Sequence, residues 1–292
     1  MIFNQLLVNG IIAGSIYSLI ASGFSLIYSA NRFVHFAHGT VAAAGAYMLY
    51  TLFTLWGVPF YIAAISTIIG TALLGIFIFG GIYRTLQKRK SSVIILMIAS
   101  LGILILLENT LLLTFGGDVK TIGFLEVVKG TEIFGAIITP LQQVIVGVSV
   151  ISFAALWIFV KYTKQGKIMR AVADNLELAK INGINTKKVQ YIGFGIGSAL
   201  AGLAGVLIAL EQNVNPTMGT GLMLKGFTGA IIGGITSLPG AVLGSYLLGI
   251  IENFGIWYLP SGYKDAIAFV LLLLFLLVRP QGILGIKKGV RQ

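Results

Sequence analysis

Seven apolar runs, most of them about twenty residues long, leave this chain few folds to adopt: 6–28, 36–56, 60–83, 93–115, 141–160, 189–210 and 265–278. A helix rises about 1.5 Å per residue, so runs of that length match a hydrocarbon layer of about 30 Å. Only 10% of the residues are charged and mean hydropathy is +0.96. A soluble domain carries about 25% charge to cover its surface. The expected fold is an all-α integral membrane protein, a polytopic helical bundle of about 8–9 spans forming a single transmembrane domain over 1–292. No large soluble domain fits in the remainder. The first run is too long for a signal-peptide core and no Lys or Arg precedes it, so it reads as a first span.

The net charge of +11 does not point to nucleic acid, because basic residues gather at one set of span ends. Arg32, the group Arg84, Lys88, Arg89 and Lys90, the segment 161–188, and Arg279, Lys287, Lys288 and Arg291 hold sixteen of the twenty Lys and Arg. The connection 116–139 holds Lys120 and Lys129 with Asp118, Glu126 and Glu132. The positive-inside bias then places the N-terminus outside and the C-terminus in the cytoplasm. Without cysteine, disulfides, thiolate nucleophiles and Cys-ligated metals are excluded. No cofactor is implied.

This orientation requires the region between the sixth run and Asp265 to enter the membrane and return. Residues 226–235 are too short to cross, and Ser237, Leu238, Pro239 and Gly240 precede a further apolar run. The expected arrangement near 226–258 is a broken or re-entrant helix: a half-helix, a turn at membrane depth and a longer returning helix. Two short spans are the alternative. Irregular backbone at that depth marks a pathway where protein or a water-filled cavity satisfies its polar groups. Pro239 and Gly240 are the candidate half-helix start, able to hold a carboxylate. Glycines four apart, at Gly10 and Gly14, Gly193 and Gly197, Gly229 and Gly233, and Gly240 and Gly244, suit close helix contacts.

The segment 161–188 is the one long polar helix-like stretch. It carries seven Lys or Arg against two acids, yet spaces Ile168, Met169, Val172, Leu176, Ala179 and Ile181 near helical periodicity. It reads as a handle whose apolar stripe a soluble partner grips, or as a helix lying on anionic lipid. Ionisable groups inside spans are costly, so Glu108, expected to be the deepest and to face the bundle interior beside Asn109, and Glu252 beside Asn253 are candidate pathway groups. Each either lines a path or bonds across helices. His35 and His38, three apart, lack an evident third metal ligand and suit packing or gating around Gly39. Pro216, Gly219 and Gly221 belong to an outer surface or a plain loop. Aromatic residues at the proposed outer ends, Trp56, Tyr61, Trp257, Tyr258 and Tyr263, fit an interfacial belt. These groups do not form the spacing of an intramembrane enzyme.

The runs beginning at Asn9, the FAHG at 36–39, the GG-x4-PGA-x2-G at 233–244 and the RPQG-x-LG at 279–285 resemble the permease subunit of branched-chain amino acid ABC importers. The resemblance spans nearly the whole chain and is nearest the smaller of the family's two permeases. It departs at Val34 and His35, where the family more often has Ile-Asn. It implies a second permease subunit in a heterodimer, two cytoplasmic ATP-binding subunits, an extracytoplasmic amino-acid-binding protein and residence in the cell inner membrane. It implies that 161–188 is the cytoplasmic coupling loop, with Arg170, Ala171, Asp174, Asn175, Ala179, Gly183 and Ile184 at the ATPase-coupling positions. The chain has no G-x4-G-K-[ST] phosphate loop, so ATP hydrolysis falls to partners. Related permeases carry urea, sugars or nucleosides, and a stand-alone secondary transporter is the other transport reading.

Overall fold

In a computed structural model, which describes residues 2–124, 130–133 and 135–285, the apolar runs become helices. Glu126, Lys129, Lys287, Lys288 and Arg291 lie outside the described residues. In chain order the helices are α1 (Ile2–Asn31), α2 (His38–Leu49, extended by a wide π-helical turn Tyr50–Leu55), α3 (Phe60–Ile78), α4 (Arg84–Lys88), α5 (Val93–Phe115), α6 (Pro140–Tyr162), α7 (Lys164–Asp174), α8 (Leu176–Ile181), α9 (Thr186–Glu211), α10 (Met218–Gly233), α11 (Leu238–Tyr258) and α12 (Lys264–Val278). A π-helical turn, Phe79–Tyr83, joins α3 to α4. Seven of these stretches are long and apolar enough to cross a membrane. The shorter α2 with its extension and α10 complete the bundle. The protein is a membrane protein.

Helix α1 is the central post. Of its most apolar stretch 89% is buried, against 17% for α5 and α6 and 6% for α12, so those three form the outer face. Small residues let α1 take that place where hydrophobicity does not sort helices from lipid. Gly10 and Gly14 meet the α11 backbone at Ile250 and Tyr246, and Gly23 faces Gly197 of α9. The two remaining glycine pairs meet each other: a Cβ at Gly233 or Gly240 would overlap the opposite backbone, and one at Gly244 would overlap Gly229. Helices α10 and α11 are thus a tight hairpin whose backbones touch.

The break in that hairpin falls at Gly234–Ser237. Gly234 leaves the helix at φ 111°, a conformation glycine adopts without a Cβ penalty. The Ser237 side chain then accepts the Gly240 N–H at 3.2 Å to start α11, and Pro239 occupies the first turn. Helix α10 begins at Met218, eight residues earlier than the sequence suggested, and spans about 24 Å. Its turn is not at mid-depth. It shares a cavity with Lys161 and Arg170, at the end of the bundle where the cations gather. Here the N–H groups of Ile283 and Leu284 donate to the Ile232 and Gly233 carbonyls at 2.8 and 2.9 Å, so the segment after α12 closes the end of α10.

At the opposite end a hairpin of β1 (Thr131–Ile133) and β2 (Ala136–Ile138) precedes α6. The Gln5 side chain both accepts from the Ile137 N–H and donates to its carbonyl, tying the hairpin to α1. Thr139 and Gln142 form a reciprocal capping box at the start of α6. Lys120 and Val214 pair through their backbones.

Candidate translocation and coupling sites

A charged cluster joins four helices, running from the buried Glu252 to the exposed Asp265. Glu252 on α11 has no exposed surface, and its Oε2 accepts the Tyr17 hydroxyl of α1 at 2.9 Å. Lys225 of α10 places its Nζ 3.8 Å from the same oxygen and 3.3 Å from Asp265 at the start of α12. The ammonium also lies 5.3 Å from the centre of the Tyr17 ring. Glu252 Oε1 is buried with no protein hydrogen-bond partner among the described residues. Asn253 turns back to its own helix, donating to the Gly249 carbonyl at 2.8 Å. A buried pair of this kind fixes the relative position of its helices, and its spare acceptor can receive a cationic or N–H donor.

Glu108 is not the deepest acid. It is half-buried on the outward-facing α5, and its Oε2 accepts the Thr220 hydroxyl of α10 at 3.0 Å. Asn109 is exposed and bonds the Ile105 carbonyl at 2.8 Å. The two acids therefore act apart, Glu252 inside the bundle and Glu108 on its outer face, with α10 touching both. Sequence reasoning passed over Lys225 and Tyr17. The signal was present in Lys225, a lone cation in the apolar stretch Leu222–Ile232.

His35 and His38 are both wholly buried, but only His38 lies on a helix; His35 is in the linker before α2. His35 Nδ1 is 2.8 Å from the Tyr83 hydroxyl, and His38 Nε2 donates to the Ile20 carbonyl at 3.2 Å. Their rings are 6.3 Å apart, and no group of three potential metal ligands occurs among the described residues. Gly39 explains the tight start of α2: a Cβ there would overlap the Gly219 carbonyl of α10, and one at Gly219 would press on Thr40. Gly219 is therefore part of a helix crossing and not a loop. Gly221 faces open space, and Pro216 is buried.

The basic segment is two short helices and not one. Thr163 caps α7 by accepting the Gly166 N–H, Asn175 caps α8 by accepting from Glu177 and Leu178, and Asn185 caps α9 by accepting from Lys188. Each cap turns the chain, because its side chain replaces a missing helical partner. Gly183 at φ 76° ends α8 as a left-handed cap, with the Ile184 N–H returning to the Ala179 carbonyl at 3.0 Å. The apolar stripe is largely consumed by the bundle itself. Met169, Val172 and Ala179 are buried, and Ile168, Leu176 and Ile184 pack against the same core. What faces outward is Arg170, Ala171, Asp174, Asn175 and Gly183, with Leu178 at 56% and Ile181 at 82% exposure. This second, polar-and-apolar face is the one the bundle leaves open.

Pro239 is exposed and Gly240 buried beside the α7 end, so the N-terminus of α11 opens toward the basic end and not toward the bundle centre.

Residues 6–276 match the family described as branched-chain amino acid transport system / permease component. The chain is 38% identical to the high-affinity branched-chain amino acid transport system permease protein LivH of Escherichia coli K12, covering 97% of this chain and 96% of that protein. It is 37% identical to the corresponding permease protein BraD of Pseudomonas aeruginosa, covering 96% and 95%. A solved structure, PsaBC from Streptococcus pneumoniae in complex with Fab, shares the fold at a TM-score of 0.53 and 17% identity, over 95% of this chain and 93% of that one. A helical membrane bundle, a match along almost its whole length and relatives that are transport permeases together establish that this chain belongs to the branched-chain amino acid permease component family of ABC importers.

Proposed function

We propose that this chain forms the translocation pathway for branched-chain and other hydrophobic amino acids in an importer driven by separate ATP-binding subunits and fed by an extracytoplasmic binding protein. The observation that carries the reading is the construction of α7 and α8. Their apolar side is buried in the bundle through Met169, Val172 and Ala179, while Arg170, Ala171, Asp174, Asn175, Leu178, Ile181 and Gly183 face away. A push on that face is transmitted to α1 and α9 as a movement of rigid bodies. Ala179 and Ile184 serve the coupling from within, by seating the helices. The names of the relatives support the substrate class, and the basic end supports a cytoplasmic C-terminus with the N-terminus outside.

In this reading a second, non-identical permease faces the exposed α5, and Glu108 and Asn109 lie along the path between the two subunits. A polar pair on a helix otherwise bearing Ile105, Leu106 and Leu113 on its outer face is better matched to a partner or a wet path than to lipid. His38 and Gly39, with Pro239, Gly240 and Glu252, hold α2, α10 and α11 in the arrangement that opens and closes it.

The test is uptake of leucine by vesicles containing this chain, the permease and ATPases encoded beside it, and ATP. Uptake that requires both ATP and the binding protein supports the proposal. Uptake driven by an ion gradient alone overturns it in favour of a secondary transporter, and intact assembly without leucine uptake assigns another substrate.

A further inference from the structure

A cavity of about 360 Å³ opens at the basic end, between α1, α6, α7 and the turn joining α10 to α11. Leu26, Ala30, Val160, Met169, Leu238 and Leu284 make most of its walls apolar. Two cations, Lys161 and Arg170, stand beside them, and among the described residues no acid lines the cavity. Lys161 is exposed and holds its Nζ 4.2 Å from the centre of the Trp157 ring and 5.3 Å from that of Tyr162. Lysine over Trp and Tyr at a span end is the arrangement of the headgroup level of a bilayer. Arg170 is also exposed and gives one of its five N–H donors to the Lys161 carbonyl, at 3.1 Å. The neighbouring face of α6 is open, with Ile151 at 69% and Ile158 at 53% exposure, so the cavity is reached from the lipid side.

We propose that this cavity binds one anionic phospholipid, its acyl chain along Leu26, Val160 and Leu238 and its phosphate on Lys161 and Arg170. Neither half of that chemistry suffices alone. A zwitterionic lipid would bring its own headgroup cation to a site that already holds two, and a free phosphate would leave the apolar walls unfilled. Basic pockets between spans at a cytoplasmic face recognise anionic headgroups by this combination. The α11 N-terminus adds a partial positive charge at the mouth, where the Ser237 cap and Pro239 lie. Because the same walls belong to α7 and to the α10–α11 turn, a bound lipid fills the gap between the coupling helices and the hairpin, and makes their coupling depend on lipid charge.

The test uses the full chain purified in mild detergent and titrated with phosphatidylglycerol or phosphatidylcholine of identical acyl chains, with retained lipid counted by native mass spectrometry and melting followed in parallel. One phosphatidylglycerol is retained per chain and raises the melting temperature, while phosphatidylcholine does neither. Lys161→Gln weakens retention about fivefold, the effect of one basic residue near a headgroup. Ala173→Phe, which fills the cavity and removes no cation, abolishes it while the melt in phosphatidylcholine stays that of the unaltered chain. Equal retention of the two lipids, retention that survives Ala173→Phe, or an equal rise in melting temperature with inorganic phosphate would each overturn the proposal. So would displacement of the lipid by the ATP-binding subunits, which would assign the cavity to a protein partner.

Discussion

Lys225 of α10 stands 3.8 Å from Glu252 of α11, a carboxylate with no exposed surface. The pair has a third member in Tyr17, so removing either charge alone has unequal consequences. Lys225→Met leaves a buried carboxylate facing an apolar group and costs about 3–5 kcal/mol, the range for an orphaned buried charge. Glu252→Gln keeps an acceptor for Tyr17 and leaves Lys225 its bond to Asp265, so it is milder. The double variant Lys225→Met with Glu252→Gln recovers much of the loss. Melting of the four proteins in one detergent measures the coupling, and additive losses would remove the pair from the fold's supports.

The crossing of α2 and α10 gives a sharper contrast. Gly39→Ala drives a methyl group into the Gly219 carbonyl, a backbone atom that cannot turn aside. Its yield of folded protein falls severely. Gly221→Ala, with open space around it, melts within about 0.5 kcal/mol of the parent.

The two faces of α7 and α8 separate stability from coupling. Val172→Ala removes buried methyl groups and lowers the melting temperature by an amount corresponding to about 1 kcal/mol or more, with ATPase association unchanged. Ile181→Glu or Arg170→Glu leaves the melt unaltered and reduces co-purification of the ATP-binding subunits several-fold. Full association of both exposed-face variants would sink the coupling assignment.

At Gly183 the constraint is conformational, because its surroundings are open and its φ is positive. Gly183→Asn, which tolerates the left-handed region, keeps ATPase association. Gly183→Val does not, and loses about 1–2 kcal/mol in the cap.

Glu108→Gln preserves a partner for Thr220 while removing the charge. The expected outcome is a raised KM for leucine with an unaltered melt. An unchanged KM restricts Glu108 to bonding across helices.

The spans were legible in the sequence because hydrophobic length alone defines them. The limits of that reading appear at α10, where Met218 to Lys225 contains two glycines and a lysine and so resembles a loop. Its helical state depends on Gly219 fitting against Thr40 and on Lys225 finding Glu252, contacts between residues far apart in the chain. The division of 161–188 was visible in part: Asn175 followed by Glu177 is the pattern of a helix start. The fate of its apolar stripe was not, because periodicity shows that a stripe exists and not whether the chain's own core or a partner covers it. Depth was equally hidden. The motif around Pro239 announces a break, yet only the neighbouring Lys161 and Arg170 place that break at the end of the bundle.

The bonds from Ile283 and Leu284 to the last carbonyls of α10 also set an order of events during synthesis. Ile232 and Gly233 leave the ribosome about fifty positions ahead of the groups that cap them, after two further helices have been made. Until then the end of α10 keeps two carbonyls without their native donors, although the helix already packs on α1, α2, α11 and α12. A nascent chain stopped after α12 would therefore carry this end of the hairpin unlatched.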